Sequence, residues 1–159
     1  MALEELASEA LETLANAPGA RSDPEGTEKA VKAALEKAPF DLDIRLGAYR
    51  FYFYTHRYAQ AYEQAQGILA LAAQRLNISP DWRAVQPQDA EFTAKDFAPG
   101  LYLQALIALG YCQLRLGEFD LGEEYVEVAA KLDPTDRFGA VRVLRQAVAS
   151  RNDEAELDA

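Results

Sequence analysis

The chain has 159 residues, 50% hydrophobic and 26% charged, with 26 acidic against 16 basic side chains and a formal net charge of −10. That length suits one domain with a continuous core, and the charge, with no Lys/Arg-rich stripe to offset it, argues against a nucleic-acid partner. One cysteine, Cys112, excludes an internal disulfide. No uninterrupted apolar run reaches the ~18–20 residues of a membrane span, and the acidic start Met1-Ala2-Leu3-Glu4-Glu5 lacks the pattern of a signal peptide. The expectation is a soluble cytoplasmic protein without membrane insertion. Its acidity reads as solubility, or alternatively as a preference for a basic partner.

In chain order, Leu3, Leu6, Ala7, Ala10, Leu11 and Leu14 recur at spacings of three and four, which predicts an amphipathic helix ending near Ala17-Pro18-Gly19. Asp23-Pro24 reads as an N-cap followed by proline at the first helical position. Ala30, Val31, Ala34 and Leu35 share a face of the helix that follows, which stops at Ala38-Pro39. A third helix is expected from Leu42 to Tyr54, a turn at Thr55-His56-Arg57, and a fourth helix from Tyr58 to Leu76, ended by Asn77-Ile78-Ser79-Pro80. Residues 79–99 hold Pro80, Pro87 and Pro99 and no long period, so they read as a loop with a helical turn around Ala90–Ala94. Leu101–Leu116 is a strongly apolar helix, Gly117 breaks it, and Phe119–Leu132 is its partner. Asp133-Pro134 is expected to open a last helix over 135–150, carrying Phe138, Val141, Leu144 and Val148, before a disordered acidic tail at 151–159. No segment alternates like a strand. The reading is all-α, with seven helices in one domain.

The stretch Leu103–Asp136 carries a repeat signature. Leu109-Gly110, Gly117 at the turn, Phe119, Ala129 and the closing Leu132-Asp133-Pro134 together resemble one 34-residue tetratricopeptide repeat. Leu106, Gln113, Gly122 and Val126 depart from the family's usual residues at their positions. A weaker copy spans Leu42–Arg75 through Tyr49, Tyr52, Tyr58, Ala61 and Ala65, and Val31, Ala34 and Pro39 extend the same register backwards. The resemblance implies repeats near 8–41, 42–75 and 103–136, an insertion at about 76–102 and a capping helix at 135–150. It implies a right-handed superhelical array of antiparallel helix pairs whose concave surface is lined by each pair's first helix.

In that family the concave surface binds peptides or protein segments. The matching positions are Asp43, Leu46, Arg50, Phe53 and Tyr54 in one repeat and Gln104, Ile107, Tyr111, Leu114 and Arg115 in the next. The resemblance therefore implies a partner-binding groove built from Leu46, Arg50, Phe53, Tyr54, Ile107, Tyr111, Leu114 and Arg115. The Lys and Asn set that grips C-terminal carboxylates in some members is missing. Arg50 and Arg115 could still pair with acidic groups through bidentate hydrogen bonds. Among the six aromatics of 49–58, Tyr49, Phe51, Tyr52 and Tyr58 read as core and Phe53 and Tyr54 as groove. Trp82, Phe92 and Phe97 either clamp the insertion onto the array or belong to a mobile lid.

Catalysis has no visible basis. His56 is the only histidine and sits at a turn, Cys112 reads as a small buried hydrophobe, and Glu4-Glu5 and Glu123-Glu124 read as solvated helix faces. There is no zinc spacing, phosphate-cradling loop or nucleophile motif, so neither metal nor cofactor is expected. The functional expectation is an adaptor or chaperone-like module for a protein or peptide. Two alternatives stand beside it: a structural subunit that self-associates as a homo-oligomer, and a chaperone of the type III secretion translocator kind, which this chain matches in size and charge.

Overall fold

A computed structural model describes residues 23–157. These form six α-helices: α1 (Pro24–Lys37), α2 (Leu42–Tyr54), α3 (Tyr58–Leu76), α4 (Phe97–Arg115), α5 (Phe119–Leu132) and α6 (Ala140–Leu157). A 3-10 turn occupies Pro87–Asp89, and the described residues contain no strand. The chain is all-α. The helix expected over Leu3–Leu14 lies outside the described residues.

Local chemistry accounts for several helix ends. The Asp23 carboxylate accepts the Gly26 amide at 2.9 Å ahead of Pro24, and that of Asp41 accepts the Ile44 amide at 3.2 Å. Each satisfies an amide with no partner inside its helix. Asn77 closes α3 in the left-handed conformation, φ 55°, and Gly117 (φ 85°) turns the chain between α4 and α5. Helix α4 starts at Phe97, four residues before the expected Leu101. Pro99 is tolerated there because first-turn amides have no intrahelical acceptor.

Each helix packs on its neighbours in sequence, α1 on α2 and so on to α5 on α6, and α4 also meets α6. Helix α4 is the centre of the core. Leu101, Leu103, Ala105, Leu106, Leu109 and Cys112 are all buried, and burying each large apolar side chain is worth ~1.5–3 kcal/mol. By length and composition α4 could cross a membrane, although no uninterrupted apolar run had suggested a span; 72% of its apolar window is buried inside the protein. As expected, Tyr49, Phe51 and Tyr52 are core and Cys112 is fully buried; Tyr58, also expected in the core, is only half-buried against it. Burial alone pushes the Cys112 thiol up to about 12.

The insertion packs against α3, α4 and α5. Trp82 stacks on Tyr125 with ring centroids 4.1 Å apart, and the Tyr125 hydroxyl meets that of Tyr62 on α3 at 2.7 Å. Arg83 grips Glu124 with two hydrogen bonds, 2.7 and 2.9 Å, which hold the Glu124 carboxyl below its usual range. Phe92 is buried against Tyr102. A turn at 91–94, closed by the Ala94 amide on the Glu91 carbonyl, falls where a helical turn was expected. Arg137 then donates to the Phe92 and Ala94 carbonyls at 2.7 and 2.8 Å, tying this turn to the α5–α6 connection.

The last helix departs most from expectation. Asp133-Pro134 opens a turn, and α6 begins only at Ala140. The Asp133 carboxylate, almost fully buried, accepts from the Thr135 hydroxyl and from the Thr135 and Arg137 amides, which diverts the backbone from a helix. Asp136 (φ 51°) and Gly139 (φ 77°) complete the turn. At the other end α6 runs to Leu157, through most of the segment expected to be disordered. Arg151 anchors it with a 2.7 Å contact to Asp120 and a 3.7 Å contact to Glu123. Ala140, Val143, Leu144 and Ala147 face the protein, whereas Val141 and Val148 are 36% and 51% exposed.

Candidate functional site

A groove of about 1060 Å³ runs between α2, α4 and α6. Helix α2 supplies Tyr49 and Phe53, α4 supplies Gln104, Ile107, Ala108 and Tyr111, and the far wall is the turn Asp136–Gly139 with Val141, Arg142 and Arg145. A smaller cavity of about 330 Å³ continues along α4 and α6 past Tyr111, lined by Leu114, Arg115, Phe119, Val143 and Ala147 among others.

Phe53 organises the aromatic wall. Its ring lies 5.6 Å from Tyr49, one helical turn earlier on α2. It lies 5.4 Å from Tyr54, 6.0 Å from Tyr58 and 5.5 Å from Tyr111 across on α4. These are spacings at which tilted and edge-to-face pairs attract.

No family model matches the chain, and no solved structure matches it. Over 140 residues it is 34% identical to an uncharacterized 19.8 kDa protein in the nifW 5′ region of Azotobacter chroococcum mcd 1, a match that covers 86% of this chain and 78% of that protein. The chain belongs to the family of that protein.

The residues expected at the groove divide into four groups. Phe53, Ile107 and Tyr111 line the main groove, and Leu114 and Arg115 line its continuation with Tyr111. Arg50 and Tyr54 sit together on α2, the guanidinium 4.8 Å from the ring centroid, and line neither cavity. Leu46 is 1% exposed and belongs to the core, so its expected place in the groove is corrected. Its side chain lies on the face of α2 that also buries Tyr49 and Leu42. The Arg115 guanidinium rests 5.0 Å over the Tyr58 ring.

Sequence reasoning missed the wall from the α5–α6 turn and α6. Arg142 and Arg145 were legible as two arginines three apart, but the expected helix start gave no reason to turn them inward. Phe138 packs against the core with its ring 3.4 Å from where a Cβ on Gly100 would stand. The groove has an aromatic and aliphatic floor with cationic side chains at one edge. Among the described residues, no group of three or more His, Cys, Asp and Glu could hold a metal ion. His56 is exposed at the α2–α3 turn, its Nδ1 2.9 Å from the Tyr58 hydroxyl.

Proposed function

We propose that this protein is an interaction module, an adaptor or chaperone-like protein that holds a segment of another protein in the α2–α4–α6 groove. The observation that carries this reading is the groove itself. It is long, open, apolar on its floor and rimmed with arginine, and aromatic side chains with arginine dominate binding hot spots. The helix order supports a tetratricopeptide-like array, with α2–α3 and α4–α5 as successive pairs and α6 in the place of a third pair's first helix. In such an array the first helices line one continuous surface. Binding, rather than an enzymatic activity, is what the residues in this groove support.

The test uses Val141→Asp, which sets a charge at the exposed edge of the groove. The substitution leaves the core untouched, and an acidic residue in the first turn suits a helix N-terminus. Wild type and variant, used as paired baits in a lysate of the native host, should differ by a protein retained on the wild type alone. Equal retention would place the contact elsewhere. The relative's location in the 5′ region of nifW makes the nifW product of that organism the first defined protein to assay against the relative.

A second reading rests on Val141 and Val148, which leave an apolar stripe on α6 exposed to solvent, and on Phe40, which is 80% exposed in the α1–α2 turn. Self-association through such surfaces would give a mass that rises with concentration in sedimentation. A constant monomer mass would remove this reading.

A further inference from the structure

The groove is locally positive in a chain of net charge −10. Arg142 and Arg145 are both exposed, and neither makes a hydrogen bond or an ion pair within the described residues. The third arginine of that wall, Arg137, is committed to the Phe92 and Ala94 carbonyls and lies 3.8 Å from Asp133. The one acid in the lining, Asp136, directs its carboxylate to the Val141 amide at 3.3 Å, at the start of α6. Two guanidiniums therefore stand available one helical turn apart, about 5–6 Å between their Cβ atoms, beside the apolar floor of Phe53, Ile107 and Tyr111.

Resting on the groove reading above, we propose that the occupant is an acidic peptide segment. Its carboxylates pair with Arg142 and Arg145, and an aromatic or aliphatic side chain between them seats on Phe53, Ile107 and Tyr111. Guanidinium recognises carboxylate through paired hydrogen bonds, so the two arginines select planar anions at a defined spacing. The rest of the surface, being acidic, repels such a segment at a distance. That repulsion is screened beyond about 8 Å at physiological salt, so recognition acts at contact range. A basic segment would be drawn to the acidic surface at large but would set its charges against Arg142 and Arg145 inside the groove.

Two short labelled peptides that share a central tryptophan-leucine pair, one flanked by glutamates and the other by lysines, are titrated against the intact chain by fluorescence anisotropy. The glutamate peptide should bind at least about tenfold more tightly, a difference of ~1.4 kcal/mol. Arg142→Glu/Arg145→Glu should reverse the preference while leaving helicity and Tm unchanged, because both side chains are exposed. The proposal is overturned if the wild type prefers the lysine peptide, if reversing the arginines leaves the ratio unchanged, or if the glutamate peptide shows no binding at millimolar concentration. Val141→Asp separates the two levels of the argument. If it abolishes binding of both peptides, which the wild type holds equally, the groove stands and the acidic occupant falls. If it changes neither, the groove reading itself falls.

Discussion

Two glycines decide how closely the central helices approach. A Cβ on Gly110 would stand 2.4 Å from Val126 Cγ2 and 2.8 Å from the Gly122 carbonyl oxygen, and one on Gly122 would stand 2.9 Å from the Gly110 carbonyl oxygen. The α4 and α5 backbones thus touch at this pair, and no side-chain rotation relieves a clash with backbone. Gly110→Ala should cost about 1–3 kcal/mol by overpacking, seen as a Tm loss of roughly 2–4 °C per kcal/mol for a chain of this size. An unchanged Tm would mean that the helices can separate freely. The Leu109-Gly110 pair was legible as part of the repeat signature, and the contact of Gly110 with Gly122 emerged only in three dimensions. Leu46 shows the converse. A motif position placed it in the groove, yet it is buried in the core with Leu42 and Tyr49.

At the scale of elements, helix ends with a local cause agree with the sequence reading to the residue in α2, α3 and α5. Asp41 caps the start of α2 and the left-handed Asn77 closes α3. The insertion and the start of α6 were not legible in this way, because their partners are far along the chain: Trp82 on Tyr125, Arg83 on Glu124, Arg137 on the carbonyls of 92 and 94. Trp82→Ala should release one end of the insertion. Limited trypsin digestion should then cut faster at Arg83, while the helical circular dichroism is retained. Cleavage at the wild-type rate would show that Arg83 and Phe92 hold the loop without the tryptophan.

At the scale of the molecule, burial raises three phenols, Tyr52, Tyr102 and Tyr125. Burial raises Tyr102 to about 12, with the Asp81 carboxylate adding to the effect. Tyr125 is raised further, by burial first and then by its hydrogen bond to Tyr62. An unfolded tyrosine loses its proton near its ordinary value of 10.0, whereas these keep theirs in the folded chain. Above that value the unfolded state binds fewer protons, so stability falls as pH rises from about 10 towards 12. Tm measured from pH 8 to 11 should therefore decline at the alkaline end. Tyr102→Phe should flatten part of that decline. It should cost little at pH 7, since the Tyr102 hydroxyl is buried with no hydrogen-bond partner among the described residues. A slope identical in the variant would exclude Tyr102 as its source.

The sequence by itself determined the helical class and most of the helix limits, because apolar spacing, N-cap aspartates, Asn77, Gly117 and prolines act within a few residues of themselves. The resemblance to the repeat family also supplied Phe53, Ile107 and Tyr111, as positions that line that family's concave surface. Only the tertiary structure decided the groove's second wall. Alanine and valine faces of α6 compete at nearly the same spacing, and which one turns inward depends on the Asp133 turn, which delays the helix to Ala140, and on Arg151, which pins its far end to α5. Those contacts join residues distant in sequence, so no local pattern could show Arg142 and Arg145 facing the aromatic floor.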